Sequence, residues 1–163
     1  MLVSTEAIVL SYLKYSETSI IVKCFTQSDG LKSYLIKGIR SVKKKTINIG
    51  FFQPLTILEI DANHRNKGTL ESIRSVKIIE PYKTIHVDVL KNTIVLFLSE
   101  ILSKSILEEE KNKSFYDFIK TSLIWLDSSE NFMNFHIQFI TKLLKHLGVS
   151  PDISLITLSS FDI

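Results

Sequence analysis

The sequence predicts an α+β protein in which a small five-stranded β-barrel is followed by an α-helical domain. Two observations lead to this prediction. Five short, β-favouring apolar segments lie within the first eighty residues, and apolar residues at helical spacing replace them after Glu80-Pro81-Tyr82. A chain of 163 residues is long enough to bury a core around both parts. We therefore place one domain at residues 1–80 and a second at residues 81–163.

Turn residues separate the predicted strands, which cover residues 7–13, 20–26, 31–37, 55–61 and 70–79. Asp29-Gly30 marks a tight turn, because glycine readily adopts the positive φ that such a turn needs. The alternation of apolar and polar residues is imperfect, as expected of strands that bend or are buried on parts of both faces. A five-stranded barrel of this size is most often an OB-fold, and an SH3-like barrel is the competing interpretation.

Three helices are predicted after the proline, with apolar stripes over residues 90–102, 115–126 and 132–147. The hydroxyl of Thr84 is the expected N-cap of the first helix. Ser129 with Glu130 is the expected start of the third helix, and Gly148 is its expected end. The width of the apolar stripes indicates helices that pack on one another and on the barrel.

Several classes of protein are disfavoured by what the sequence lacks. The single cysteine, Cys24, excludes a disulfide framework or a cysteine-based zinc cluster within this chain, and its strand context predicts a buried thiol. The four histidines show no metal-ligand spacing, and the five glycines form no phosphate-binding loop. We therefore expect no enzyme, no cofactor, no metal and no small-molecule substrate. The absence of a basic leader or a membrane-spanning run predicts a cytoplasmic protein.

Positive charge is concentrated in the first half of the chain. Residues 1–80 hold 12 Lys and Arg against 7 Asp and Glu, whereas residues 81–163 hold 8 against 10. The densest run is KGIRSVKKK, which supplies Lys37, Arg40, Lys43, Lys44 and Lys45. Such a run is often only a solvated loop, but on one half of a small protein it also indicates an anionic partner, most often nucleic acid.

Aromatic residues are interleaved with lysines in the predicted barrel, which is typical of surfaces that stack bases and track phosphates. We expect Tyr15 and Tyr34 to be the exposed rings, because a hydroxyl tolerates water better than a bare phenyl group. With the five basic residues, they complete the predicted nucleic-acid-binding set.

The segment AIVLSYLKYSETSIIVKCFTQSDGLKSYLIKGIRSVKKK resembles the N-terminus of the RecO family of bacterial recombination mediators. Its order of features is similar to the family's: an apolar strand, Tyr15 and Glu17, Phe25-Thr26, a turn glycine, and Lys37-Gly38 leading into a basic loop. The later FQPL resembles the family's entry to its fourth strand, and LLKHLGVSPD is similar to the end of its helical domain.

This resemblance implies an OB-fold followed by helices, in a bacterial, cytoplasmic and nucleoid-associated protein. It implies binding to single- and double-stranded DNA, annealing of complementary strands, and contact with the tail of single-stranded-DNA-binding protein. With RecR, family members help RecA replace that protein on DNA. Many members also carry a four-cysteine zinc site after the leucine-glycine helix end. Because this sequence has only Cys24 and stops at Ile163, we expect the zinc site to be absent and the helical domain to be incomplete at its C-terminus.

The acidic tail of single-stranded-DNA-binding protein, which ends in an apolar residue and a free carboxylate, needs an apolar pocket with a positive rim. Lys104 and Lys120 lie beside apolar stripes, so we expect the tail to bind in a groove between the first two helices. Two other interpretations of the chain stay open: an RNA-binding translation or ribosome factor built on the same barrel, and an adaptor whose basic loop is only solvated.

Overall fold

The computed structural model describes residues 1–39, 47–65, 70–107 and 110–149, and over these ranges five strands precede three helices. The strands are β1 (Leu2–Lys14), β2 (Ile20–Thr26), β3 (Gly30–Ile36), β4 (Ile57–Asn63) and β5 (Ser72–Ile78). The helices are α1 (Val89–Ser105), α2 (Lys113–Ser128) and α3 (Phe135–His146). A 3₁₀ turn, Ile49–Phe52, precedes β4. The predicted α+β class is confirmed.

The five strands form one sheet in the order β3-β2-β1-β4-β5, and all neighbouring pairs are antiparallel. The two outer strands meet through a parallel bridge between Tyr34 and Glu71. Two backbone bonds hold it, from the amide of Leu35 to the carbonyl of Glu71 and from the amide of Glu71 to the carbonyl of Ser33, each 2.9 Å long. A parallel β3–β5 closure beside a central β1 is the OB-fold arrangement, so the OB-fold is confirmed over the SH3-like alternative.

Strand β1 is longer than predicted because it serves two partners. Its first half pairs with β4, from Leu2 opposite Asn63, and its second half pairs with β2, with a register shift between Val9 and Ser11. Such a shift bends a strand, which lets one long strand serve both sides of a small barrel. Ile8 faces the helices and Val9 faces the barrel interior, and both are fully buried. Burial on both faces explains why apolar residues run without alternation here.

Strand β4 begins two residues later than predicted because of the backbone at Leu55. This residue has φ 58°, in the left-handed region that a non-glycine residue rarely adopts. Its side chain is fully buried, its amide donates to the carbonyl of Val9 at 2.7 Å, and its carbonyl accepts from the Tyr82 hydroxyl at 2.6 Å. These contacts hold Leu55 in a turn, and the extended chain starts only at Ile57.

The helices share one hydrophobic core with the outer face of the barrel. Ile8, Leu10 and Phe25 of the barrel are buried in the same cluster as Leu98 of α1 and Ile119 of α2. A second cluster fills the barrel interior and includes Cys24, which is fully buried. The predicted burial of this thiol is therefore confirmed, and burial raises the pKa of Cys24 to about 12.

Both predicted helix starts were wrong, although the helices themselves were correct. Asp88, and not Thr84, caps α1, and its carboxylate accepts from the amides of Leu90 and Lys91. The α3 helix starts after Asn134, and not at Ser129. Asp88 is itself a preferred N-cap residue type, whereas the Thr84 hydroxyl donates to the backbone carbonyl of Asp127.

The predicted end of α3 at Gly148 is confirmed. Gly148 has φ 78°, and its amide donates to the carbonyl of Lys145 while the amide of Val149 donates to that of Leu144. This pair of bonds is the Schellman pattern, which satisfies the last carbonyls of a helix.

Candidate nucleic-acid interface

A cleft of about 440 Å³ opens where the end of β3 lies beside the start of β5. It combines an aliphatic surface with two cationic side chains, and its lining residues are Leu35, Ile36, Lys37, Ile47, Arg65, Leu70, Glu71, Ser72 and Ile73. The volume falls within the range of about 300–1,000 Å³ that is usual for ligand sites. Its position follows from the barrel closure, because the Tyr34–Glu71 bridge brings the two strands together.

The basic run begins at this cleft. Lys37 is exposed at the end of β3, and Gly38 has φ 65°, a conformation in which glycine avoids the clash that a side chain would make. Ile39 and Ile47 both pack against the barrel interior cluster, so the described chain is fixed on both sides of residues 40–46. Arg40, Lys43, Lys44 and Lys45 lie outside the described residues.

The backbone amide of Arg65 forms hydrogen bonds with the side chain of Glu71. The amide of Arg65 donates to both carboxylate oxygens of Glu71 at 2.9 Å, and Glu71 is buried. The Arg65 side chain is exposed, so replacing it leaves this backbone contact in place. The sequence analysis did not identify Arg65 as a site residue, because Arg65 lies in the polar link between β4 and β5. Only the closure of the barrel brings this link close to Lys37.

The β1–β2 hairpin tip presents Tyr15, whose exposed fraction is 60%. Tyr12 and Leu13 are also exposed there. Lys14 pairs with Ile20 of β2, and Ile20 pairs with Ile36 of β3. Two strand spacings, or about 10 Å, therefore separate the hairpin tip from Ile36, the residue before Lys37. The predicted exposure of Tyr15 is confirmed, and this ring lies at the same end of the barrel as the start of the basic run.

The predicted exposure of Tyr34 was wrong, since this ring is fully buried inside the barrel. Its hydroxyl lies 2.8 Å from Nε2 of His64, and Nδ1 of His64 lies 3.0 Å from Oδ2 of Asp29. Burial, with smaller contributions from Cys24, Asp29 and Glu71, raises the pKa of Tyr34. A ring with this environment cannot stack on a base. The hydroxyl finds its partner inside the protein, in a histidine thirty residues away that local sequence gives no means to anticipate.

The two lysines of the predicted peptide groove both contact carboxylates. Lys104 donates to Glu100 one helical turn earlier at 2.7 Å, and this pair is exposed. Lys120 donates to both oxygens of Glu6 on β1 at 2.9 and 3.0 Å, across the contact between barrel and helices.

The apolar residues beside these lysines do not line an open groove, contrary to the prediction. Leu102, Ile119 and Leu123 are fully buried in the core that the helices share with the barrel. A small pocket of about 150 Å³ lies instead at the connection between α1 and α2, and its lining residues are Phe25, Ser105, Ile106, Leu107, Asn112, Phe115, His146 and Leu147. It begins at the residue that follows Lys104.

Two further observations concern metals and membranes. Among the described residues, no group of three or more His, Cys, Asp or Glu side chains is placed to hold a metal ion. In the same parts of the chain, no helix is long and apolar enough to cross a membrane.

Comparison with known proteins gives two family matches that together span most of the chain. The family described as "Recombination protein O N terminal" matches residues 1–82, and "Recombination protein O C terminal" matches residues 86–155. The first match therefore covers the barrel and the second covers the helices.

Individual relatives agree with the family matches. The chain is 55% identical over 154 residues to a DNA repair protein RecO of Flavobacterium psychrophilum, covering 94% of this chain and 65% of that protein. It is 50% identical over 162 residues to the one from Flavobacterium johnsoniae, covering 99% and 68%, and 38% identical over 154 residues to the one from Bacteroides fragilis, covering 94% and 63%. The chain thus spans about two thirds of the length of these relatives.

Proposed function

Because the chain belongs to the RecO family, we propose that it acts in DNA repair and homologous recombination as a mediator that binds single- and double-stranded DNA. It anneals complementary strands, and with RecR it helps load RecA onto DNA coated by single-stranded-DNA-binding protein. It does so in the bacterial cytoplasm, at the nucleoid, by binding alone and without catalysing a reaction.

The observation that carries the proposal is the convergence of positive charge at one end of the barrel. Lys37 and Arg65 line the same cleft, although 28 positions separate them in the sequence. The basic segment 40–46 is connected to this cleft on both sides, through Lys37 and Ile47. An OB-fold with cationic loops beside an open strand surface is suited to a nucleic-acid backbone.

Lys37, Arg40, Lys43, Lys44 and Lys45 contact phosphates in this proposal. Lysines on flexible stems make contacts with phosphate oxygens that do not depend on base sequence. Each neutralised phosphate releases counterions, so the affinity falls steeply as salt rises. Contacts of this kind leave most bases free to pair, which is what annealing of two strands requires.

Tyr15 supplies a stacking surface at the edge of this track. Its exposed ring stands beside Lys14 on the hairpin tip, where a base can stack on it while the neighbouring lysine meets a phosphate. Tyr34 has no part in DNA binding, because its ring lies in the barrel interior.

The helical half is the proposed dock for the acidic tail of single-stranded-DNA-binding protein. The small pocket at the α1–α2 connection accepts the apolar end of the tail, and Lys104, which precedes the lining residue Ser105 in the sequence, attracts the carboxylates. Lys120 contributes positive charge from the neighbouring helix, although it already pairs with Glu6.

The peptide dock is tested by titrating a fluorescent tail peptide against Lys104→Gln and Lys120→Gln. We expect each variant to bind the peptide more weakly than the native protein. Lys77→Gln is the matched control, because Lys77 is an exposed lysine of the barrel that also pairs with a carboxylate, that of Glu59. Equal peptide affinity in all three variants would move the dock elsewhere.

The choice of DNA over RNA is tested by competition. A labelled single-stranded DNA oligomer is bound to the protein, and unlabelled single-stranded DNA or structured RNA is added at the same salt concentration. We expect the DNA to compete more strongly. Stronger competition by the RNA would favour an RNA-binding translation or ribosome factor built on the same barrel.

A further inference from the structure

We propose that the cleft between β3 and β5 is a nucleotide subsite that receives one unstacked nucleotide of a single strand. The phosphate lies at Lys37 and Arg65, and the base lies against the aliphatic side chains of Leu35, Leu70 and Ile73. This inference rests on the proposed DNA binding and adds to it a contact made with a base.

The chemistry of the lining favours a ligand that is both anionic and partly apolar. Lys37 and Arg65 supply two positive charges and Glu71 one negative charge to a cleft of about 440 Å³, so the lining is net positive, and it also includes the aliphatic side chains of Leu35, Leu70 and Ile73. A bare phosphate would leave the aliphatic surface in water, and a purely apolar ligand would leave the charges unused. A nucleotide satisfies both parts at once.

The position of the cleft favours a nucleotide that belongs to a strand. Lys37 is the first residue of the basic run and itself lines the cleft, so a strand that contacts Lys37 is already at the cleft. Leu70 is 39% exposed and Leu35 is half-buried, so the aliphatic surface is open to a base from outside. The backbone amide of Arg65 donates to the carboxylate of Glu71, which holds the backbone at Arg65 beside the cleft.

Only an unpaired base can enter such a cleft at low cost. In a duplex, the base must first leave its partner and its stack, whereas a base in a single strand is already largely free. The subsite therefore adds affinity for single strands and little for duplexes. Because its walls are aliphatic, they contact the face of any base, so the subsite tolerates every sequence.

The test compares a single-stranded DNA oligomer with an oligomer of the same length that has abasic sites throughout. Both carry the same phosphates, so the dissociation constant of the abasic oligomer divided by that of the DNA oligomer measures the contribution of base contacts. We expect Leu70→Ser to lower this ratio about fivefold, because the change removes apolar surface that the base covers. Affinity for the abasic oligomer stays unchanged, and Leu70→Met restores the native ratio.

Leu96→Ser is the matched control, because Leu96 is an exposed leucine on α1 outside the cleft. A ratio in Leu70→Ser equal to that of the native protein and of Leu96→Ser would overturn the subsite while leaving DNA binding intact. If the native protein bound neither oligomer, the proposed function itself would fail, so the two failures are distinguishable.

Free thymidine monophosphate separates a strand subsite from a site for mononucleotides. We expect it to compete far more weakly than the oligomer, because it carries one phosphate and gains nothing from the basic run. Competition by the mononucleotide as strong as that by the oligomer would overturn the assignment to a strand.

Discussion

Tyr15 and Tyr34 show how far the environment of one residue type differs within a single barrel. Tyr15 is exposed at the β1–β2 hairpin tip, where its ring is available to a ligand. Tyr34 is fully buried, and its hydroxyl belongs to a chain of contacts that runs through His64 to Asp29. The first is suited to recognition and the second to stability.

Replacing Tyr34 with phenylalanine is expected to destabilise the fold without a direct effect on DNA binding. The change removes the hydroxyl and leaves Nε2 of His64 without this partner in the barrel interior, at a cost of about 1–3 kcal/mol. Denaturant unfolding at neutral pH measures the free energy of unfolding, and DNA titration below the transition measures affinity.

Tyr15→Ala serves as the reciprocal control for this prediction. Its free energy of unfolding is expected to stay within about 0.5 kcal/mol of the native value, since the side chain is exposed. Its DNA affinity is expected to fall. A Tyr34→Phe variant with the same free energy of unfolding as the native protein would contradict these assignments. So would a Tyr15→Ala variant that binds DNA as tightly as the native protein.

The connection between the barrel and α1 is held by one carboxylate at the end of α2. Asp127 accepts hydrogen bonds from the backbone amides of Lys83, Thr84 and Ile85. Burial alone would raise the pKa of Asp127, but these bonds, with one from the Thr84 hydroxyl, outweigh it and lower the pKa. Thr84 thus takes part in this contact and does not cap a helix.

Asp127→Asn is expected to lower the free energy of unfolding by about 1–2 kcal/mol at neutral pH, because a neutral amide oxygen accepts these bonds less well than a carboxylate. Since the pKa is lower in the folded protein, the contribution is present above the unfolded pKa of about 4 and is lost as pH falls through the folded value. The free energies of unfolding of the native protein and of Asp127→Asn should therefore converge as the pH falls from neutral to acidic. A difference between them that stays constant over the whole pH range would show that Asp127 does not act through its charge.

At the scale of the whole molecule, the barrel and the helices form one packed unit with different surfaces. They share a hydrophobic core, and the ion pair of Lys120 with Glu6 crosses their contact. The excess of positive charge lies in the first eighty residues. Two of these positive residues, Lys37 and Arg65, line the cleft. This division supports DNA binding by the barrel.

Features that follow from the spacing of apolar and turn residues were predicted correctly, although the first residues of α1, α3 and β4 were not. The strands, the helices, the turn at Gly30 and the resemblance to the RecO family are all confirmed. Features that depend on contacts between distant residues were not predicted. The inward position of Tyr34 requires His64, and the cleft exists only because the Tyr34–Glu71 bridge closes the barrel and brings Arg65 close to Lys37. Tertiary contacts of this kind leave no mark on the local pattern of residues.

The most direct test of the proposed function is the salt dependence of single-stranded DNA affinity in a variant with Arg40, Lys43, Lys44 and Lys45 replaced by alanine. If these side chains contact phosphates, the slope of log affinity against log salt becomes shallower by about two to three units, at roughly 0.7 per phosphate. A control variant carries the same loss of charge on the helical half, through alanine at the exposed lysines Lys104, Lys111, Lys113 and Lys145. We predict a native slope for the control and the shallower slope, with weaker binding, for the basic-run variant. An unchanged affinity and slope in the basic-run variant would contradict the account and leave the chain as an adaptor with a solvated loop.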